Sequence, residues 1–335
     1  MLPDQLPVFF IVGRGRSGST LLRSLFDAHP QVKIPLESRF VQYLLYHYGY
    51  KEHFSCEEAL QAVGLLAESF EPPALNEASL TAAIRAYAPL SFSMLCKLIY
   101  LHTHTVFPKE EILLLGDKNP RYSFFIPGLM KLFPEAKFVF LLRDYRDNVL
   151  SVGRAGKGIG ERGHPVVSLG RWRLYNQAVL RQQRKHPGRF VSIRFEDLIS
   201  DPETELRALC GFLQLPFRPD MLQYQEKVAA YGKQDPGFSG LHGSLQTPFN
   251  KAKVGEWKHA LRGKDLLRCE VLAGRLAEGL GYAPSMKANS LRRLGIYLLY
   301  GPVCLLGQLR FLLKMLLYRS PFLMRIAYRL IKIRQ

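Results

Sequence analysis

The chain has 335 residues, 47% of them hydrophobic, and 46 Lys and Arg against 28 Asp and Glu give a net charge of +18. That length and apolar content support a large core and exclude an intrinsically disordered chain, while the charge implies an anionic partner such as a nucleotide, a membrane surface or nucleic acid. Five dispersed cysteines without a CxxC pair (Cys56, Cys96, Cys210, Cys269, Cys304) exclude a disulfide framework or a zinc site and fit buried thiols in a reducing compartment.

The first apolar run, Val8 to Val12, reads as a buried strand. Only Asp4 carries charge before it and no cleavage pattern is present. The expectation is therefore a chain without a signal peptide, whose chemistry faces the cytoplasm. The stretch Gly13-Arg14-Gly15-Arg16-Ser17-Gly18-Ser19-Thr20 follows, and then a helical pattern from Leu21 to Ala28. Strand, glycine loop and helix form the context of a phosphate cradle. Gly13 and Gly18 keep the spacing of a Walker A loop, but Ser19 stands where the lysine would be and Arg16 supplies the charge. Such a loop suits a phosphate-like group other than a magnesium-bound triphosphate.

Further apolar runs at Val32–Ile34, Ile112–Leu115, Phe138–Leu142 and Phe190–Ile193 read as parallel strands, with helical patterns between them. This alternation predicts an α/β fold, a P-loop-like parallel sheet with helices on both faces. Residues 51–111 read as a helical insertion, with helices over Glu57–Ser69 and Ala78–Tyr87, in a place suited to an acceptor lid. Residues 134–137 form a turn into the fourth strand. After that strand, Arg143 and Ser151 lie eight residues apart, at the carboxyl edge where a parallel sheet binds ligands. They form either a phosphate grip or part of an Arg–Asp surface network. Residues 231–250, rich in Gly, Ser, Gln and Pro, form a long loop.

The tail is different in kind. From Leu291 to Gln335 there are nine Lys or Arg and no Asp or Glu. The longest uncharged run, Leu294 to Leu309, is 16 residues, short of the ~20 that span a bilayer. Basic amphipathic helices lying on a membrane surface fit this pattern; a helical layer packed on the domain with its arginines solvated is the alternative. No nucleic-acid motif accompanies the charge. The chain divides into a domain over 1–285 and a basic tail over 286–335.

Taken together, these segments resemble the sulfotransferases that use 3′-phosphoadenylyl sulfate. RGRSGSTLL resembles their 5′-phosphosulfate loop and LLRDYRDNVLSV their 3′-phosphate motif. Ile193 to Leu198 resembles the segment whose aromatic residue lies near the adenine, and Lys251 to Lys258 a late segment whose basic residue returns to the 3′-phosphate. The resemblance covers roughly residues 8–283. It implies that Arg16 holds the 5′-phosphate and sulfuryl group, with the backbone amides of Ser17, Gly18, Ser19 and Thr20. It implies that Arg143, Ser151 and Lys251 bind the 3′-phosphate and that Phe195 lies near the adenine. The small-molecule branch has an aromatic residue where Leu21 stands and a histidine base where Asp117-Lys118-Asn119-Pro120 stands. His102 and His104 lie in another context and read as structural. The tyrosyl-protein branch places a glutamate after a segment like Leu25 to Pro30, and Glu37 stands there, 21 residues after Arg16. The resemblance therefore implies Glu37 as base, Lys118 as catalytic lysine and Ser244 as a leaving-group contact, with no metal. A Glu37–Arg39 surface pair is the structural alternative for Glu37.

The expected reaction is transfer of a sulfuryl group from 3′-phosphoadenylyl sulfate to an acceptor hydroxyl. The basic tail points to a sterol or lipid acceptor at the inner face of the membrane, with a carbohydrate or glycolipid next. A P-loop kinase or nucleotidase and a non-catalytic membrane-surface protein are the other readings.

Overall fold

The computed structural model describes residues 2–67, 73–105, 107–154, 165–225 and 249–317. A five-stranded parallel sheet organises them: β1 (Val8–Gly13), β2 (Val32–Lys33), β5 (Leu114–Lys118), β6 (Lys137–Leu142) and β7 (Phe190–Arg194), in the order β2-β5-β1-β6-β7. β1 is central, and the chain leaves it toward β2 on one side and later returns to β6 on the other. That reversal of strand order opens a crevice at the carboxyl ends of the strands.

Each strand residue alternates between faces, so the sheet carries two cores. Phe10, Val12, Phe138 and Phe140 face one, and Phe9, Ile11, Val139 and Leu141 face the other. The second is covered by α1 (Ser19–Ala28), α9 (Phe195–Ser200) and α10 (Pro202–Leu213). The first is covered by α2 (Phe40–Tyr48), α5 (Phe92–Leu101) and α6 (Ile126–Leu132). Being covered twice explains why the central strands read as unbroken apolar runs.

The structure adjusts three of the expected elements. The strand expected at Ile112–Leu115 runs over Leu114–Lys118, because pairing with β1 carries the ladder on through Asp117 and Lys118. Those polar residues mask the strand in the sequence, yet they sit at its functional end. The insertion holds α3 (Cys56–Ala67) and α4 (Glu77–Tyr87) as expected, and also a ribbon of β3 (His53–Phe54) and β4 (Leu90–Ser91) too short to leave a periodic signal. It is no detached lid: Phe54, Ala59, Ala62, Leu80 and Ile84 join the same core as β1. The expected turn ends at Ala136, since Lys137 already pairs with Phe9.

A third apolar cluster joins α7 (Tyr145–Arg154), α8 (Pro165–Lys185), α11 (Trp257–Ala260), α12 (Gly263–Gly279) and α13 (Ser290–Leu317). Gly170 of α8 lies where an added Cβ would stand 2.5 Å from the Cys304 carbonyl oxygen, so the last helix seats directly on α8. Phe311 packs between Phe124 and Tyr175, each with ring centroids 5.3 Å away.

Candidate active site

Every strand of the sheet delivers one part of a site at its carboxyl end. β1 leads into the loop 13–18, β5 ends on Lys118, β6 is followed by Arg143, β7 by Phe195, and β2 leads four residues on to Glu37. Residues far apart in sequence thereby converge on one edge.

The loop is held open by backbone geometry. Gly13 has φ +138 and Gly18 φ +94, both in the left-handed region that favours glycine. An added Cβ at Gly13 would fall 2.4 Å from the Leu141 carbonyl oxygen, and one at Gly18 2.3 Å from the Phe195 ring. Arg16 is also left-handed, with φ 66. The Gly13 amide donates to Ser123 Oγ at 3.0 Å, and Asn148 Nδ2 donates to the Gly15 carbonyl at 3.0 Å and Ser17 Oγ at 3.2 Å. Gly18 caps α1 without a side chain, so the first-turn amides and the positive end of the helix dipole face the crevice.

Arg16, Arg143 and Ser151 come together as expected. Arg16 Nε donates to Ser151 Oγ at 3.3 Å, and Arg143 Nη1 donates to the Arg16 carbonyl at 2.9 Å. Arg143 Nη2 donates to the Lys253 carbonyl at 2.9 Å, and its guanidinium stacks 4.4 Å above the Phe195 ring. Among the described residues Arg143 and Asp144 do not pair: Asp144 instead holds Arg146, which reaches Glu270 on α12 at 3.0 Å. Burial, the largest influence, pulls the Arg16 and Arg143 pKa values below the ordinary range; Asp147 and Glu196 offset it only in part at Arg143. Two desolvated cations at one edge are a site short of anionic charge. This donor set, with a buried Arg143 Nε that has no hydrogen-bond partner among the described residues, fits a doubly phosphorylated nucleotide.

Lys118 and Glu37 form an ion pair across the ends of β5 and β2. The lysine side chain is 2% exposed and the glutamate 37%, so the carboxylate reaches solvent while the ammonium stays inside. Glu37 thus pairs with Lys118 rather than forming only a surface pair with Arg39. Asn119 Nδ2 donates to the Ser38 carbonyl at 3.2 Å and ties the two segments together.

The other expected residues are more scattered. Lys251 opens a short 3-10 turn, Lys251–Lys253, and is exposed; the backbone of its neighbour Lys253 meets Arg143 instead. Phe195 is buried as the floor between Gly18 and Arg143. Ser17, Gly18, Ser19 and Thr20 lie at the crevice. Ser244 and most of the 231–250 loop lie outside the described residues.

Some residues had no role assigned from sequence. Asp147 accepts the Gly255 amide at 2.7 Å and the Trp257 amide at 2.8 Å, fastening the late segment to α7. Asn148 and Ser151, three residues apart, lie on one side of α7. Asp117, fully buried behind Lys118, accepts from the Tyr100 and Tyr122 hydroxyls at 2.8 Å each. Burial pushes its carboxyl up to about 7 despite those bonds and the Lys118 charge.

A pH dependence of stability follows from Asp117. The folded state holds the Asp117 proton to about pH 7, whereas the unfolded chain releases it near pH ~4. The folded state therefore binds more protons between those values, and stability falls as pH rises through that window. Asp117→Asn keeps an oxygen for the two tyrosines and should flatten the fall. Urea midpoints measured across the window test this; parallel wild-type and variant profiles would refute it.

A family model described as the sulfotransferase family matches residues 7–219. The chain is 25% identical over 292 residues to a "putative protein-tyrosine sulfotransferase" of Caenorhabditis briggsae, covering 85% of this chain and 92% of that one. It is 27% identical over 231 residues to "protein-tyrosine sulfotransferase 1" of Danio rerio, spanning 68% of this chain and 58% of the relative. Among solved structures, the "sulfotransferase domain from the curacin biosynthetic pathway" superposes with a TM-score of 0.52 at 22% identity, covering 83% of this chain and 98% of that domain; it shares the fold.

Proposed function

Because this chain belongs to the sulfotransferase family, whose enzymes use 3′-phosphoadenylyl sulfate, we propose that Glu37 and Lys118 work as a pair on the two ends of the transferred sulfuryl group. The acceptor oxygen attacks sulfur in line. The bond from sulfur to the bridging oxygen breaks, and its electron pair leaves with adenosine 3′,5′-bisphosphate. Glu37 takes the acceptor hydroxyl proton, and Lys118 and Arg16 stabilise the charge that grows on the bridging oxygen. Arg143 and Ser151 hold the 3′-phosphate, aided by Lys251, and the amides of Ser17 to Thr20 hold the 5′-phosphate. Phe195 sets the level of the nucleotide from beneath Arg143. The Glu37–Lys118 ion pair, at the edge shared with the Arg16–Ser151–Arg143 cluster, carries this reading. Lys118 and Arg16 supply at the bridging oxygen the positive charge that a metal ion supplies in other phosphate loops.

We further propose a membrane-resident sterol or lipid hydroxyl as acceptor. α13 turns Cys304, Gly307 and Phe311 toward α8. Its opposite side exposes Leu291, Leu294, Leu298, Leu305, Leu309 and Leu312 at three-, four- and seven-residue spacing. Residues Ser290–Leu313 are long and apolar enough to cross a membrane by length and composition. The seat on α8 favours a helix lying in the membrane plane, its leucines in lipid and Arg292, Arg293 and Arg310 near anionic headgroups. All five cysteines are free, in keeping with the cytoplasmic face. The names of the relatives favour a second acceptor, a protein tyrosyl hydroxyl.

A labelled-sulfate assay should find transfer to a sterol or lipid in anionic vesicles; transfer confined to tyrosyl peptides would select the second acceptor, and none to any hydroxyl would overturn the function. Charged residues at the exposed leucines test the surface without opening the core. Leu298→Glu with Leu305→Glu should weaken vesicle binding on the order of a hundredfold, given ~1.5–3 kcal/mol for each buried leucine. Unchanged sedimentation with vesicles would reject the membrane role.

A further inference from the structure

α12 is broken at Gly274, whose φ of 53 and ψ of -150 lie outside the helical range. The carbonyls of the turn before the break take side-chain donors. Tyr297 Oη donates to Val271 at 2.8 Å, and Arg173 Nη1 donates to Leu272 and, at 3.1 Å, to Ala273. An added Cβ at Gly274 would fall 3.2 Å from the Tyr297 hydroxyl, so α13 is pinned to α12 at the break itself. Beyond it, the last turn of α12 and the start of α13 enclose a groove of about 570 Å³.

Arg275 and Glu278, three residues apart, form one wall of this groove. Ser290, Arg293, Leu294 and Tyr297 form the other, at three- and four-residue spacing along α13. Two guanidinium groups from two helices thus line one space. Among the described residues neither Arg275 nor Arg293 makes a side-chain ion pair or hydrogen bond, and Arg275 does not pair with Glu278 on its own turn. Two cations and one carboxylate leave the groove with a surplus of one positive charge. Leu294 belongs both to the groove and to the exposed leucine stripe that includes Leu291 and Leu298. The charged groove therefore lies beside an apolar surface, as the polar head of a phospholipid lies beside its hydrocarbon.

We propose that this groove is a headgroup site for one anionic phospholipid, an inference that rests on the reading of α13 as a membrane-surface helix. The phosphodiester lies between Arg275 and Arg293, whose planar forks match its free oxygens. Its single negative charge balances the single surplus positive charge. Ser290 Oγ adds a donor, and Glu278 accepts from a hydroxyl or ammonium beyond the phosphate, as a glycerol headgroup offers. The volume falls within the ~300–1,000 Å³ of small-molecule sites, so it takes the headgroup along with its phosphate. The acyl chains leave past Leu294 onto the leucine stripe. One bound lipid thereby clamps the end of α12 to the start of α13.

Calorimetry with dihexanoylphosphatidylglycerol, kept below its micelle concentration, tests the site apart from any membrane surface. Wild type should take one equivalent. Arg275→Gln with Arg293→Gln should weaken that binding at least ~10-fold, each change removing a charge-assisted contact. Arg292→Gln with Arg310→Gln removes the same charge outside the groove and should leave it unchanged. All four arginines are exposed, so neither double variant opens the core. Dihexanoylphosphatidylcholine, with the phosphate but no headgroup donor and no net charge, should bind at least ~10-fold more weakly, as should inorganic phosphate. Equal binding by the two double variants, or none by wild type, would overturn the site. Inorganic phosphate binding as tightly as the lipid would overturn its assignment to a headgroup, and the choline lipid doing so its assignment to an anionic one. Sedimentation with phosphatidylglycerol vesicles reads the membrane role separately. No sedimentation of wild type would overturn that role, whereas sedimentation with equal monomer binding by the two double variants would overturn the site alone.

Discussion

Replacing Glu37 with glutamine will lower kcat ~10²–10⁴-fold while leaving the Kd for adenosine 3′,5′-bisphosphate within about twofold. Glutamine keeps the length of the side chain and an oxygen for Lys118, but it cannot accept the acceptor proton. Glu37→Ala should lose most turnover too, and it also leaves the buried Lys118 ammonium unpaired. Removing one partner of a fully buried pair costs about 3–5 kcal/mol; with Glu37 37% exposed, solvent screening makes the cost smaller. Comparing the two variants separates chemistry from stability: both lose turnover, and only alanine also lowers the melting temperature. Near-normal turnover in the glutamine variant would remove Glu37 from the role of base.

Arg143→Ala will weaken bisphosphate binding at least ~100-fold, since charge-assisted bonds contribute ~1.5–3 kcal/mol each and tenfold in affinity is ~1.4 kcal/mol. The effect has two sources. One is the lost grip on the phosphate itself. The other is the loop, because Arg143 bridges the carbonyls of Arg16 and Lys253, so its removal releases both walls of the crevice. Lysine at 143 retains charge but cannot bridge two carbonyls and lie flat on Phe195. Arg143→Lys should therefore recover only a minor part of the affinity. An unchanged Kd for Arg143→Ala would refute the phosphate role.

The sheet was legible because its strands are covered on both faces and so appear as short apolar runs between helical patterns. The exception teaches the rule: β5 was placed early because Asp117 and Lys118 do not look like core. They are buried for reasons of charge, one held by two tyrosines and the other by Glu37. Arg16, Arg143 and Ser151 were legible from loop spacing and strand-end position, and the fold brings them into contact. Lys253, Asp147 and Asn148 were not, because each bond they make has a backbone carbonyl or amide on one side, brought within reach only by folding.

The central claim is that a loop with Arg16 and no Walker lysine holds a nucleotide bisphosphate with metal-free chemistry. Calorimetry of the wild-type chain with adenosine 3′,5′-bisphosphate, set beside ATP with magnesium, tests it directly. Binding of the bisphosphate with no added metal, tighter than that of ATP–magnesium and weakened at least ~100-fold in Arg143→Ala but not in Glu37→Gln, is the expected result. Preferential binding of ATP–magnesium would contradict it and return the loop to the kinases and nucleotidases.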